Sequence, residues 1–493
     1  MIKLIHPLAL TAALGVAGVL GTSYLTADDP KPVAPAPTAK PDTPMTPVKV
    51  TDTKVEMKTA VTPKPLSPAV KKGLEYLVKN QQEDGGWNQG GGWRTAPAGG
   101  GGRVEGKDVE DPSDVGNTCI AMLALIRAGN TPVEGEYKQN VAKGLRFVLG
   151  RIEKSDSDSL YVTDVKGTQL QSKIGPYVDT FLAGLVLAEL KGKAGADEKR
   201  LIAALEKTMN KIVKNQDANG GFANNGAWAP TLSVGIANKS LARAKQNGVQ
   251  VDDKALARAF DQSKMAAAGT TPAGSGALGG PVAGRPAGGL APAPAAAPGG
   301  AGFGGAGFGG GLGTGGDAGV RLYSLSQGAG NSQDVVNGLK LDAEKAKKTL
   351  DDPKATKEAK DEAQKQVERF EKASKDNAKA QEALAMNVRD HNFVAGFGSN
   401  GGEEFLSFLN ISEALLIKGG KDWTDWDAKM TAGLEKAQNQ DGSWAGQHCI
   451  TGKTFCTAAA MLVLMADRTP FPVEVLKKEE PKPDQPKPEP AKP

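Results

Sequence analysis

The sequence predicts an all-α chain of about six helical hairpins, and three observations carry that expectation. A short joint is written three times: NQQEDGGW up to Trp87, NQDANGGF up to Phe222 and NQDGSW up to Trp444. Ahead of each joint runs a stretch with apolar residues at helical spacing. After the break comes a second stretch, more apolar and rich in small residues.

The first element, SPAVKKGLEYLVKNQ, puts Leu74, Leu77 and Val78 on one face, with Ser67 and Pro68 placed as cap and first-turn residue. VAKGLRFVLGRI offers Leu145, Val148, Leu149 and Ile152; RLIAALEKTMNKIVKNQ offers Leu201, Leu205, Met209 and Ile212; MTAGLEKAQNQ offers Leu434 and Ala437. The second helices are NTCIAMLALIRAG, DTFLAGLVLAEL, TLSVGIANKSLARA, FLSFLNISEALLIKGG and FCTAAAMLVLMAD. A one-sided helix followed by one buried nearly all round is what an outer layer around an inner layer needs. Two further hairpins complete the set. DDKALARAFDQ pairs with GVRLYSLSQGAG across a long insertion, and the charged stretch ending near AQEALAMNVRD partners EFLSFLNISEALL. Hairpins stacked in one dimension either run open as a solenoid or close into a ring.

In the joints, Asp and Gly supply the turn that stops the outer helix, the aromatic residue packs beneath it, and the Gln serves exposed backbone at the helix end. Trp87, Phe222 and Trp444 are therefore expected to be structural.

Of the 493 residues, 63 are Gly and 31 Pro, concentrated in a few places, so much of the chain is tail or insert. Residues 1–27 are apolar after a single Lys and read as a signal peptide or an uncleaved membrane anchor. Either places the protein outside the cytoplasm, in the periplasm or cell envelope. Residues 28–66 form a Pro-rich linker, expected as an extended spacer. The helical repeats occupy 67–262 and 320–476. Between them 263–319 is Gly/Pro/Ala-rich and expected to be disordered. Within the second part, 332–388 is a charged helical insertion broken at Asp352 and Pro353, and 477–493 is a Pro/Lys/Glu-rich tail. A net charge of +4, with both signs interleaved, argues against a nucleic-acid partner.

The joints and the helices that follow them resemble the repeats of the terpenoid cyclase and protein prenyltransferase superfamily. The likeness is greatest to exported bacterial prenyltransferase and squalene oxidase repeat proteins. It covers about Ser67 to Asp467 outside the insertions and implies an (α/α) toroid of inner and outer helices.

Chemistry does not follow as readily. The DxDD acid of squalene-type cyclases is absent; DWTDWD (Asp422, Asp425, Asp427) stands ahead of an outer helix, where capping is expected. Aromatics at 5% make a thin lining for carbocations. Prenyltransferases hold zinc with an Asp, a Cys and a His. Asp114, Cys119, His448, Cys449 and Cys456 do not follow that order, so no cofactor is expected, with His448, Cys449 and Cys456 the alternative metal set. Cys449 and Cys456 are either a disulfide or reduced core residues. The GCGEQ thioester motif is absent as well.

What the inner helices do carry is a set of cavity candidates, Asp179, Asn238, Lys239, Asn410 and Glu413. A buried Glu413 needs a partner or a proton: it either pairs with Lys239 as a structural contact or faces a ligand. The expected function is a binding or scaffold module, with an isoprenoid or other lipid ligand or an envelope protein as partner. The alternatives are a cyclase or prenyl-transferring enzyme using Glu413 or Asp179, and a polysaccharide-binding or polysaccharide-acting barrel presenting tryptophans such as Trp93.

Overall fold

The computed structural model describes residues 47–51, 55–91, 93–95, 101–103, 111–267 and 320–476. The expected leader, most of the linker, the bulk of the low-complexity insertion and the tail lie outside them. The described chain is all-α apart from short two-stranded pairings. In order the elements are β1 (Lys49–Val50), β2 (Met57–Thr59), α1 (Pro68–Lys79), β3 (Trp93–Thr95), β4 (Gly101–Arg103), α2 (Val115–Arg127), α3 (Lys138–Lys154), α4 (Gln169–Ile174) and α5 (Val178–Leu190). Then follow α6 (Glu198–Asn215), α7 (Pro230–Gln246), β5 (Val249–Gln250), α8 (Asp253–Ala267), α9 (Arg321–Asp351) and α10 (Lys357–Asn387). The last are α11 (His391–Val394), α12 (Gly402–Lys418), α13 (Gly420–Ala437), α14 (Lys453–Leu464), β6 (Pro470–Pro472) and α15 (Val473–Leu476). Among the described residues no helix is long and apolar enough to cross a membrane.

Helices α2, α5, α7, α12 and α14 are buried on nearly every side, as their apolar and small residues require. Each packs on a neighbour in a fixed order: α2 on α5, α5 on α7, α7 on α9, α9 on α12, α12 on α14, and α14 on α2. The amphipathic helices α1, α3, α6, α8, α10 and α13 lie against these, each burying one face. Ser67 caps α1, its Oγ accepting from Val70 N at 3.3 Å, and Pro68 opens the first turn.

The joints are built alike. Trp87 and Trp444 are buried, their ring Nε1 groups donating to Leu77 O (2.7 Å) and Leu434 O (2.8 Å), while their backbone N–H groups donate to Thr118 and Thr457 Oγ1, both at 2.9 Å. Gln81 donates across the joint to Gly85 O and on to Asn140 O of α3; Gln438 donates to Gly442 O and to Ala69 O of α1. In these two joints the glutamine serves the next outer helix as well as its own turn, whereas Gln216 of the Phe222 joint accepts from Arg258 Nε of α8 at 3.1 Å and its Nε2 has no partner.

Three boundaries differ from expectation. The spacer was expected to run free to Leu66, yet its described part is tied to the helices as a strap. Val48 N donates to Asn210 Oδ1 of α6 at 2.8 Å, β1 pairs with β5, and β2 pairs antiparallel with β6. The insertion expected to begin at 332 has no boundary there, because α9 runs unbroken from Arg321 to Asp351 and buries Ser332 to Gly338 before it turns into α10. Similarly, α8 continues to Ala267, past the expected start of the low-complexity stretch.

Candidate functional site

Two buried polar clusters lie among the inner helices. In the first, Lys239 of α7 donates to Asp334 Oδ2 of α9 at 2.7 Å and to Glu413 Oε2 of α12 at 2.5 Å. Glu413 Oε1 accepts from Thr469 Oγ1 (3.2 Å) and faces Arg127 of α2 at 3.7 Å. Arg127 pairs with Glu189 of α5 at 2.6 Å, and Arg243 of α7 approaches the same carboxylate at 3.5 Å while donating to Pro470 O. All six charged side chains are buried. Three cations match three anions, so the charge balances where solvent cannot. Burial alone would raise the Glu413 carboxyl, but Lys239, Arg127 and Arg243 outweigh it and hold it down to about 2. The structure therefore supplies the Lys239 partner that Glu413 needs.

The other cavity candidates are dispersed. Asp179 starts α5, where Oδ1 accepts from Gly116 N at 2.9 Å and Oδ2 from Gln171 Nε2 at 2.8 Å. Its neighbour is Asp114, the N-cap of α2, which accepts from Asn117 N at 2.7 Å. Burial, and then the Asp179 charge, push the Asp114 carboxyl up to about 8. Asn238 donates to Gln262 of α8 at 3.0 Å, so it faces the outer layer rather than joining Lys239. Asn410 lies against Gly330 of α9.

The second cluster sits at the start of α12 and combines residues that the sequence reading kept apart. Glu403 is fully buried; its Oε2 accepts from Ile450 N at 3.2 Å and its Oε1 makes no hydrogen bond. Glu404 accepts from Tyr323 Oη (2.5 Å), Phe397 N (3.1 Å) and Gly401 N (3.0 Å). His448 Nε2 lies 2.7 Å from Ser399 O and 3.2 Å from Glu404 Oε2. Burial works against a charged His448 ring, but Cys449, Glu404 and Ser399 outweigh it and raise its pKa to about 11. Burial and then Glu404 raise Glu403 to about 7. Above the cluster Phe397 stacks 5.0 Å from His448, with Trp228 edge-on to Phe397 at 5.8 Å; both aromatics are exposed.

The three cysteines are unbridged. The expected Cys449–Cys456 pairing fails on direction: Cys456, in the first turn of α14, points its Sγ at Ile450 O (3.3 Å), while Cys449, at φ +48°, turns toward His448 and Glu403. The alternative metal set is likewise redrawn, with Glu403 in place of Cys456. DWTDWD lies inside α13 rather than ahead of it and does not cap it, because the helix already starts at Gly420; Asp422 and Asp425 instead pair with Lys418, Arg389 and Lys421. Sequence reasoning missed Asp334, Arg127, Glu189, Arg243, Glu403 and Glu404. The signal was present for the last two, since consecutive acids at the head of a nearly apolar helix cannot both reach water. No protein-family model matches the chain, and no curated protein is similar to it in sequence.

Proposed function

We propose that the chain is an exported α/α toroid of six hairpins that works as a binding or scaffold module in the cell envelope, with proteins as its partners. The closed packing order from α2 through α14 back to α2 supports the toroid, and its six outer helices supply the second layer. The observation that carries the functional reading is Lys239 held between Asp334 and Glu413. Where a cyclase or a prenyl-transferring enzyme would need an apolar chamber, five inner helices instead contribute three cations and three anions that pair by charge, although Arg127 Nη1, Glu189 Oε2 and Arg243 Nη2 lack hydrogen-bond partners. Such a centre holds helices in register rather than receiving an isoprenoid.

The test incubates the purified full chain with farnesyl diphosphate and with squalene, and follows turnover and native mass. A scaffold gives neither product nor a mass increment. Turnover that disappears in Glu413→Gln while the melting temperature stays unchanged would overturn the reading in favour of an enzyme.

A further inference from the structure

We propose that Glu403, His448 and Cys449 form a binding site for a divalent cation of the zinc class, independent of the scaffold reading. One ligand atom from each lies within 4.8 Å of the other two. Zinc bonds to oxygen, nitrogen and sulfur place tetrahedral ligands about 3.4–3.8 Å apart, so small side-chain shifts close the set around an ion.

Three features point these groups at a ligand. Glu403 Oε1 and His448 Nδ1 are buried and have no oxygen or nitrogen partner, although buried polar atoms are almost always satisfied. The far side of each ligand is already occupied. Glu403 Oε2 is taken by Ile450 N, and Ser399 O and Glu404 accept at His448 Nε2. Those acceptors hold one imidazole proton on Nε2, so that a metal ion has only the Nδ1 proton to displace, the outer-shell arrangement that ligating histidines use. Glu404 is itself fixed by Tyr323, Phe397 and Gly401.

The donor set selects the ion. Thiolate, imidazole and carboxylate together suit zinc and its neighbours rather than calcium or magnesium, which prefer oxygen alone. Deprotonated Glu403 and Cys449 bring two negative charges, which a dication neutralises inside the protein. Three protein ligands leave the fourth tetrahedral position for water or for a donor from a bound molecule. Cys456 is not in the set, because its sulfur is turned to Ile450 O. The ion ties the segment 447–450 to the head of α12, adding to the hydrogen bonds and the packing of Ile450 on Gly402 that already join them.

The experiment uses the full chain, stripped with a chelator under reducing conditions and dialysed against Zn2+ alone, with bound metal measured per chain. The expected result is one Zn2+ per chain, with affinity lower by about 100-fold or more in Cys449→Ser and Glu403→Gln, and unchanged in Cys456→Ser and Cys119→Ser. Co2+ replacing Zn2+ in the unmutated chain is expected to show a thiolate-to-metal charge-transfer band, a readout that does not depend on any variant folding. Absence of bound Zn2+, absence of the cobalt band, or equal affinity in a folded Cys449→Ser variant would each overturn the site.

Discussion

Gly442 rests on the main-chain carbonyl of Lys72: a β-carbon at that glycine would lie 2.5 Å from Lys72 O, and its φ is +85°. The last joint is thereby seated on the first outer helix. Gly85 meets Lys143 O of α3 in the same manner, and Gly220 meets Arg258 O of α8. The motif written three times is a contact with another outer helix as well as a turn.

Replacing Gly442 by Ala therefore combines a left-handed backbone with a backbone collision. The left-handed conformation alone costs about 1–2 kcal/mol. Gly129, just past the C-cap of α2, supplies the comparison, since it has φ +95° but nothing near its absent side chain. In urea unfolding, Gly442→Ala is expected to lose more stability than Gly129→Ala; equal losses would show that the Lys72 contact contributes nothing.

Trp444→Phe keeps a ring beneath the turn but removes the donor to Leu434 O. A loss of about 1–3 kcal/mol is expected from that change. The same substitution at exposed Trp228 is expected to be nearly neutral, and thermal melts of both variants check the contrast.

In the central network, Lys239→Met leaves Asp334 and Glu413 facing each other without their shared cation. A loss of about 3–5 kcal/mol is expected. Glu413→Gln is expected to cost less, because Lys239 keeps Asp334 and Arg127 keeps Glu189. The order of the two denaturation midpoints tests this arrangement.

Stability should also decline on both sides of an acidic optimum. Asp114, raised to about 8 in the folded chain, contributes stability below its unfolded value of about 4 and loses it progressively up to pH 8. Glu413, held at about 2, acts oppositely: its contribution is present above about pH 4 and is lost as the pH falls toward 2. Melting temperature against pH for Asp114→Asn is expected to show a shallower decline between pH 4 and 8 than the unmutated chain. An unchanged slope would remove Asp114 as its source.

The helices and their one-sided or fully buried character were legible in the sequence because the 3.6-residue apolar period and the joint are local signals, but most of their partners were not: α3, α6 and α13 pack more on α2, α5 and α12, the inner helices before them, than on the ones after. Of the two further pairings, α8 does pack on α9 across more than fifty intervening residues, whereas α10 packs chiefly on α9 and only lightly on α12. Lys239 and Glu413 stood out as charges within small or apolar runs. Their further partners did not. Arg127, Glu189 and Arg243 sit toward helix ends, where charge is normally solvated, and Asp334 lies in a run that reads as the start of a charged arm. The Glu403–Glu404 pair at the head of a nearly apolar helix signalled burial, but only tertiary packing brings Ile450 and His448 against Glu403. The Cys449–Cys456 spacing was suggestive, but spacing carries no information on where the two sulfurs point.

The strap has a consequence for how the chain acquires its fold. Its β2 pairs with β6, and α1 receives the joint at Gly442, so the earliest described segments find their partners among the latest. A chain made from its N-terminus onward cannot complete those contacts until β6 has emerged. Local hairpins can form during synthesis, but the closing step has high contact order and falls at the end. Loss of the residues from Pro470 onward would therefore leave β2 without its partner strand, exposed to whatever degrades unfinished chains.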